Sequence, residues 1–182
     1  MNRGIIAKRY ARALLSFSVE KGVEDAVYKS MSILCESYLE VKEFRNALII
    51  PILSDDKKIG LIETACGGTI PDELKRFLSL VLKQNREDLL HSIALMFISF
   101  YNEYKNVTIC RLTTAQPASE EVIDSVKTLV SNNTGGSVKV NNVVNSNIIG
   151  GFIFEMNYKR LDASLSTQLE TIKRELTSEN AN

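Results

Sequence analysis

Three cysteines, one histidine and, among the adjacent carboxylates, the pairs at 55–56, 72–73, 87–88 and 120–121 are residues of this 182-residue sequence whose types could do chemistry. Cys66 stands beside Gly67-Gly68, a setting for a reactive thiol, yet no histidine lies near it in sequence to take its proton. A small enzyme working through Cys66 would need a depressed thiol pKa, so a buried, passive thiol is the simpler reading. Cys35, Cys66 and Cys110 are odd in number and form no Cys-x-x-Cys or Cys/His cluster. Neither a zinc site nor a disulfide framework is expected, and a reducing compartment fits. His91 reads as a surface or packing residue near the start of a long helix rather than as a base. Asp55-Asp56, Asp72-Glu73, Glu87-Asp88 and Glu120-Glu121 resemble acid–base pairs. Each falls at a helix start, where unpaired N–H groups and the helix dipole favour carboxylates without catalysis. Gly67-Gly68-Thr69 and Gly135-Gly136 lack the Lys-Ser/Thr of a phosphate loop and read as a helix stop and a turn. No catalytic, cofactor-binding or metal-ligating residue is assigned, and the expectation is a protein that is not an enzyme.

Composition narrows the remaining classes. The chain is 45% hydrophobic and 24% charged, enough to bury a core and stay soluble, and its 22 basic and 22 acidic residues cancel. A split at Lys105 leaves 15 basic and 14 acidic residues before, 7 and 8 after. Neither half has the basic excess of a nucleic-acid binder, and no polybasic block is present to hold an anionic membrane. The basic N-terminus, MNRGIIAKRYARALL, interrupts its apolar residues with Lys8, Arg9 and Arg12 and is no signal-peptide core; a short transit peptide stays open. The most apolar window, Ile93 to Tyr101, is too short to span a bilayer, so membrane association must come through partners.

The elements that would position any site change character near residue 105. Residues 4 to 105 read as helices. Ile6, Tyr10, Ala13, Leu14 and Phe17 share one helical face up to Gly22, and Val27, Met31, Leu34, Tyr38 and Val41 share another. A short segment from Phe44 stops before Pro51, and Ser54 offers an N-cap to a helix ending at Gly67-Gly68. Pro71 opens a helix running through Lys83, and Arg86-Glu87-Asp88 starts the last one. After Asn106 the period becomes 2: a strand at 107–113, a helix at 118–131, strands at 137–144 and 148–157 joined as a hairpin by Asn145-Ser146-Asn147, and a helix from Leu165 to Leu176. The fold class is mainly α: a bundle of five or six helices over 1–105, followed by a small α+β (β-α-β-β-α) domain over 106–182.

Two helices carry more apolar surface than one bundle face requires. In the first, Ile6, Tyr10, Ala13, Leu14 and Phe17 lie beside a stripe of mostly small residues, Gly4, Ala7, Ala11, Leu15, Ser18 and Gly22. In residues 72–84, Leu74, Phe77, Leu78, Leu80, Val81 and Leu82 spread over more than half the circumference. A groove for a partner's amphipathic helix would explain the surplus, and so would a central place in the bundle; pattern alone leaves both open.

Three stretches together resemble the delta (OSCP) family of F-type ATP synthase subunits. Ala7-Lys8-Arg9-Tyr10-Ala11-Arg12-Ala13-Leu14 is similar to the family's A-x-R-Y-A-x-A-L opening. Phe77-Leu78-x-Leu80-Val81, through Arg86 to Leu89-Leu90 and Ile93, is similar to its L-x-L-L-x-x-x-R-x-x-L-L-x-x-I pattern. Ile148-Ile149-Gly150-Gly151-Phe152, then Leu161-Asp162-Ala163-Ser164 and Leu169, is similar to I-G-G-F … D-x-S … L, with Ala163 where the family commonly has glycine. Gly150 and Gly151 admit a bulge or a close backbone approach, and Asp162 and Ser164 suit a turn that caps the last helix. These four read as structural.

The resemblance implies a non-catalytic stator subunit of the peripheral stalk, serving ATP synthesis and proton transport by resisting rotor torque. It implies that 1–105 binds the N-terminal helices of alpha subunits on the catalytic head, with Tyr10, Ala11, Ala13, Leu14, Phe77, Leu78 and Val81 lining or supporting the groove. It implies that 106–182 holds the b subunits of the stalk; without a clear targeting segment, the expectation is a bacterial protein, peripheral on the cytoplasmic face of the energy-transducing membrane. A soluble helical adaptor for an unrelated amphipathic helix is the alternative.

Overall fold

The apolar periodicities of the first hundred residues become six helices, α1 (Arg3–Lys21), α2 (Glu24–Glu40), α3 (Lys42–Ile49), α4 (Asp55–Ala65), α5 (Asp72–Lys83) and α6 (Leu90–Tyr104). The computed structural model describes residues 3–50, 52–156 and 159–179, with backbone alone for 172 and 174–179. The chain divides into two units, Met1–Tyr104 and Lys105–Asn182.

In the helical unit, α1 packs most closely against α6. Ala7, Ala11 and Ser18 are fully buried, because only short side chains fit where two helix backbones approach. Leu14, Met31, Leu34, Leu74, Leu78, Leu90, Ile93 and Phe97 bring core stripes from α1, α2, α5 and α6, and Phe44 and Leu48 of α3 and Ile62 of α4 extend the same core. The helix ends follow from local chemistry. Gly22 takes a positive φ of 68° after α1, and the Val23 N–H reaches back to the Ser18 carbonyl. Gly68, at φ 110°, closes α4 through the Glu63 carbonyl at 2.9 Å. Ser54 occupies the N-cap position of α4 in extended conformation, but its hydroxyl makes no capping bond, so Asp55 and Asp56 supply the favourable charge there. Arg86-Glu87-Asp88 does not begin α6 directly: Glu87–Leu89 forms a 3-10 turn first. That turn is held by a nearly buried ion pair, Lys58 of α4 to Glu87 at 2.7 Å, with side chains 6% and 13% exposed. Pro51, expected to stop α3, lies outside the described residues.

The second unit is β1 (Val107–Thr114), α7 (Glu120–Thr134), β2 (Ser137–Val144), β3 (Gly151–Met156), β4 (Lys159–Ser164) and α8 (Leu165–Glu179). Ser119 caps α7 by accepting from the Val122 N–H, and Gly135 ends it in the left-handed region. The sheet order is β2-β1-β3-β4, with β1 parallel to β2 and antiparallel to β3. Two sequence expectations are corrected. β2 and β3 form no hairpin, since α7 carries the chain back parallel to β1 and the two strands end on opposite sides of it. Asn145 builds a turn instead: its N–H bonds the Thr114 carbonyl, its Oδ1 accepts from the Asn147 N–H, and a 3-10 turn buries Ile148. The hairpin is β3–β4, whose connecting residues 157 and 158 lie outside the described residues. β4 is a fourth strand that the polar segment Lys159-Arg160-Leu161-Asp162 did not announce, so the unit is β-α-β-β-β-α.

Candidate functional site

The three cysteines are packed away. Burial pushes the Cys66 thiol up to about 12 and the Cys35 thiol to about 11, and Cys110 is raised by the same cause. A thiol in that range is almost wholly protonated near neutrality and is no nucleophile, which overturns the reactive-thiol reading of Cys66. His91 lies against the Tyr38 ring at 4.7 Å, and burial, with Arg45 adding to it, lowers its pKa. Among the described residues no group of three His, Cys, Asp or Glu side chains could hold a metal ion.

Among the described residues each unit has an apolar concavity. The first lies between α1 and α5 and encloses about 520 Å³. Tyr10, Ala13, Leu14 and Phe17 come from α1, Phe77 and Leu80 from α5, with the Tyr10 and Phe77 rings edge to face at 6.2 Å. Leu80 is 51% exposed and adds open apolar surface to the lining. Four of the seven residues named for the groove, Tyr10, Ala13, Leu14 and Phe77, line it. Ala11, Leu78 and Val81 do not, being at most 1% exposed in the core. Ala11 sits one turn after Ala7 on the α1 stripe that meets other helices, and Leu74, Leu78 and Val81 form the inward stripe of α5. The sequence assignment omitted Phe17, two turns beyond Tyr10, and Leu80, one turn beyond Phe77. It also omitted two cations at the lips, Arg9 and Arg76.

The second groove, of about 530 Å³, runs between α7 and the sheet. Leu112, Phe154, Phe152 and Leu161 form its floor, brought to one face by the pairings Leu112↔Phe154, Phe154↔Leu161 and Phe152↔Ala163. Val122 and Leu129 of α7 form a wall. Four strands spaced about 4.8 Å present a face wider than one helix of about 10 Å can cover. α7 packs on β2, and the β3–β4 side stays open, with Leu161 58% exposed.

A tight junction fixes that open edge. Gly151 has φ 73°, and a Cβ there would lie 2.2 Å from the Ala163 carbonyl oxygen. A Cβ on Gly150 would lie 2.8 Å from Leu165 Cδ1, and the Gly150 carbonyl accepts from the Leu165 N–H at 3.0 Å. The Asp162 carboxylate accepts from the Ser164 hydroxyl at 2.7 Å and from its N–H at 3.1 Å, and Ser164 Oγ accepts from the Thr167 N–H in the first turn of α8. The Ser164 hydroxyl is the main cause that holds Asp162 at about 2. Because that pKa is depressed, the interaction is fully present above the ordinary value of 3.8 and is lost as pH falls through about 2. Ser164→Ala is expected to return the Asp162 pKa toward 3.8 and to cost about 1 kcal/mol of cap energy. An NMR titration that left Asp162 at its depressed value in the variant would refute this account. Ala163, the departure from the family's glycine, has no positive φ among the described residues, so alanine fits.

Two units, each with its own apolar groove, have the form of an adaptor, a class of protein whose grooves hold a partner's helix. Comparison with known proteins specifies which. The family profile described as ATP synthase delta (OSCP) subunit matches residues 6–176. The chain is 40% identical over 178 residues to the ATP synthase subunit delta of Phocaeicola vulgatus, covering 97% of this chain and 96% of that one. It is 35% identical over 182 residues to that of Bacteroides fragilis, covering 99% and 98%. A chain in the cryo-EM structure of the Toxoplasma gondii mitochondrial ATP synthase hexamer shares the fold, with a TM-score of 0.71 at 18% identity, covering 94% of this chain and 97% of that one.

The chain belongs to the ATP synthase delta (OSCP) subunit family. It is a non-catalytic stator component of the peripheral stalk, which sets aside the adaptor for an unrelated partner. Among the described residues no helix is long and apolar enough to cross a membrane, and the delta subunit is a peripheral component of the membrane-bound enzyme.

Proposed function

We propose that the α1–α5 groove receives the N-terminal helix of an alpha subunit of the catalytic head, and that the groove between α7 and β3–β4 receives the end of the stalk b subunits. The chain then ties head to stalk on the cytoplasmic face of a bacterial energy-transducing membrane, so that rotor torque is spent on ATP synthesis and not on turning the head. The observation that carries this reading is that, among the described residues, each unit has its own apolar groove with exposed large apolar side chains in its lining, Leu80 in the first and Phe152 and Leu161 in the second. An amphipathic helix laid into such a groove buries a few anchors at roughly 2 kcal/mol each, against an association cost of several kcal/mol.

The test is a crossed pair of substitutions in the full chain. Leu80→Asp and Leu161→Asp both change half-exposed residues and are expected to leave the folds intact, as circular dichroism would check. Leu80→Asp is expected to weaken binding of an alpha N-terminal peptide at least tenfold, a loss of about 1.4 kcal/mol, and to leave binding of the soluble b domain unchanged. Leu161→Asp is expected to do the reverse. Calorimetry showing either variant with both affinities intact would remove the corresponding groove from the proposal.

A further inference from the structure

The lips of the α1–α5 groove are charged, and the charge has one sign. Arg9 and Arg76 both line it, one from each wall. Each stands one residue before a ring of the Tyr10–Phe77 contact, whose centroids are 6.2 Å apart, so the two arginines reach the same end of the groove to within about one helical turn of 5.4 Å. Among the described residues neither arginine has an ion-pair or hydrogen-bond partner, although other cations of this unit do. Lys75, beside Arg76, pairs with Glu63 at 2.6 Å, Lys58 with Glu87, and Arg3 with Asp88. Asp72 and Glu73, one turn before Arg76, make no ion pair with it. On α1, Lys8, Arg9 and Arg12 precede any acidic residue, the first being Glu20. Arg12 is occupied over the Phe100 ring at 5.3 Å, but Arg9 is not. A chain of zero net charge thus concentrates unpaired positive charge at one end of an apolar groove.

A helix settling there removes water from both guanidiniums. If its covering surface is neutral or basic, the two guanidiniums give up hydration without gaining a partner, a cost that works against the apolar burial nearby. A carboxylate in the same place makes charge-assisted hydrogen bonds, and the planar guanidinium fork suits it. We infer that the helix taken by the α1–α5 groove carries carboxylates beside one end of its apolar stripe, and that these pair with Arg9 and Arg76. The apolar floor supplies affinity, and the arginine pair selects the acidic helix and sets which way it lies. This inference rests on the reading of that groove as a helix-docking site.

The experiment uses the full chain and a labelled peptide of the alpha subunit's N-terminal segment, natural and with every Asp and Glu changed to its amide. The protein is compared with an Arg9→Gln/Arg76→Gln double variant and with Leu80→Asp. The double variant is expected to bind the natural peptide about tenfold more weakly at low salt, with the difference shrinking severalfold as salt screens the pairs. The amide peptide is expected to bind the unaltered protein equally weakly, and to suffer no further loss on the double variant, because both changes remove the same interaction. Full affinity of the amide peptide for the unaltered protein, independent additive losses, or a natural segment with no carboxylate would each overturn the charge pairing while Leu80→Asp still abolishes docking. If Leu80→Asp leaves the natural peptide bound, the docking reading fails and the inference falls with it.

Discussion

Replacing Ala11 with glutamate unfolds the helical unit and does not merely block its groove. Ala11 is 0% exposed, on the face of α1 where Ala7 and Ser18 are also fully buried and α6 comes closest. A glutamate there adds four heavy atoms where there is no room, an overpacking cost of about 1–3 kcal/mol. It also takes an unpaired carboxylate out of water, at several kcal/mol more. The two together approach the whole stability of a domain of about 100 residues, roughly 5–15 kcal/mol. The expected result is a helix signal whose cooperative melt is lost or moved down by about 20 °C or more, since about 1 kcal/mol shifts the midpoint by 4–8 °C. Ala13→Glu, two residues away on the exposed side, is the matched control and melts within a few degrees of the unaltered protein. If Ala11→Glu melted like Ala13→Glu, the close α1–α6 approach would be wrong.

That contrast shows where sequence reading succeeded and stopped. Periodicity located the helices of the first unit because each apolar stripe is local, and the family motifs located the junction at Gly150-Gly151 and Asp162-Ser164. Periodicity cannot say which of two apolar faces of one helix turns inward. On α1 the choice is made by size: small residues go where a backbone must come close, and Tyr10 and Phe17 are left half-buried along the groove. Strand pairing is non-local, so Asn145-Ser146-Asn147 looked like a hairpin loop when the pairing partner of both neighbouring strands is β1, at least 30 residues earlier in sequence than its β2 partners. β4 was missed because edge strands carry charge that discourages further pairing, here Lys159, Arg160 and Asp162. With β4 unread, Leu161 had no face to belong to, and the second groove could not be assembled from sequence. Arg9 and Arg76 were visible as letters, but a cation beside an apolar stripe is ordinary. Only the contact between Tyr10 and Phe77 brings the two together.

Gly151→Ala tests the second unit as Ala11→Glu tests the first. Two independent penalties meet at this position. A φ of 73° costs an alanine about 1 kcal/mol. The added Cβ then lies 2.2 Å from the Ala163 carbonyl oxygen and 3.2 Å from Ser164 Cα, both backbone atoms that no rotamer change can clear. β3 and β4 must separate at the Gly151↔Ser164 pair, where the Gly150–Leu165 hydrogen bond and the Ser164 cap also start α8. The expected loss is on the order of 4 kcal/mol, in the range reserved for core and backbone disruption. Gly135→Ala is the control: its φ is 68°, nothing lies within 4 Å of the new Cβ, and the left-handed penalty of about 1 kcal/mol acts alone. Hydrogen exchange of the β3 and β4 amides, measured in the full chain, separates the two. It also reports the floor of the stalk-side groove, since Phe152 and Leu161 lie on those strands. Gly151→Ala should raise exchange there about a thousandfold and abolish binding of the b domain, while the alpha peptide, held by the other unit, binds as before. Equal exchange in the two variants would mean that the strands can part at Gly151 without loss, and that the glycine pair is there for some reason other than this close approach.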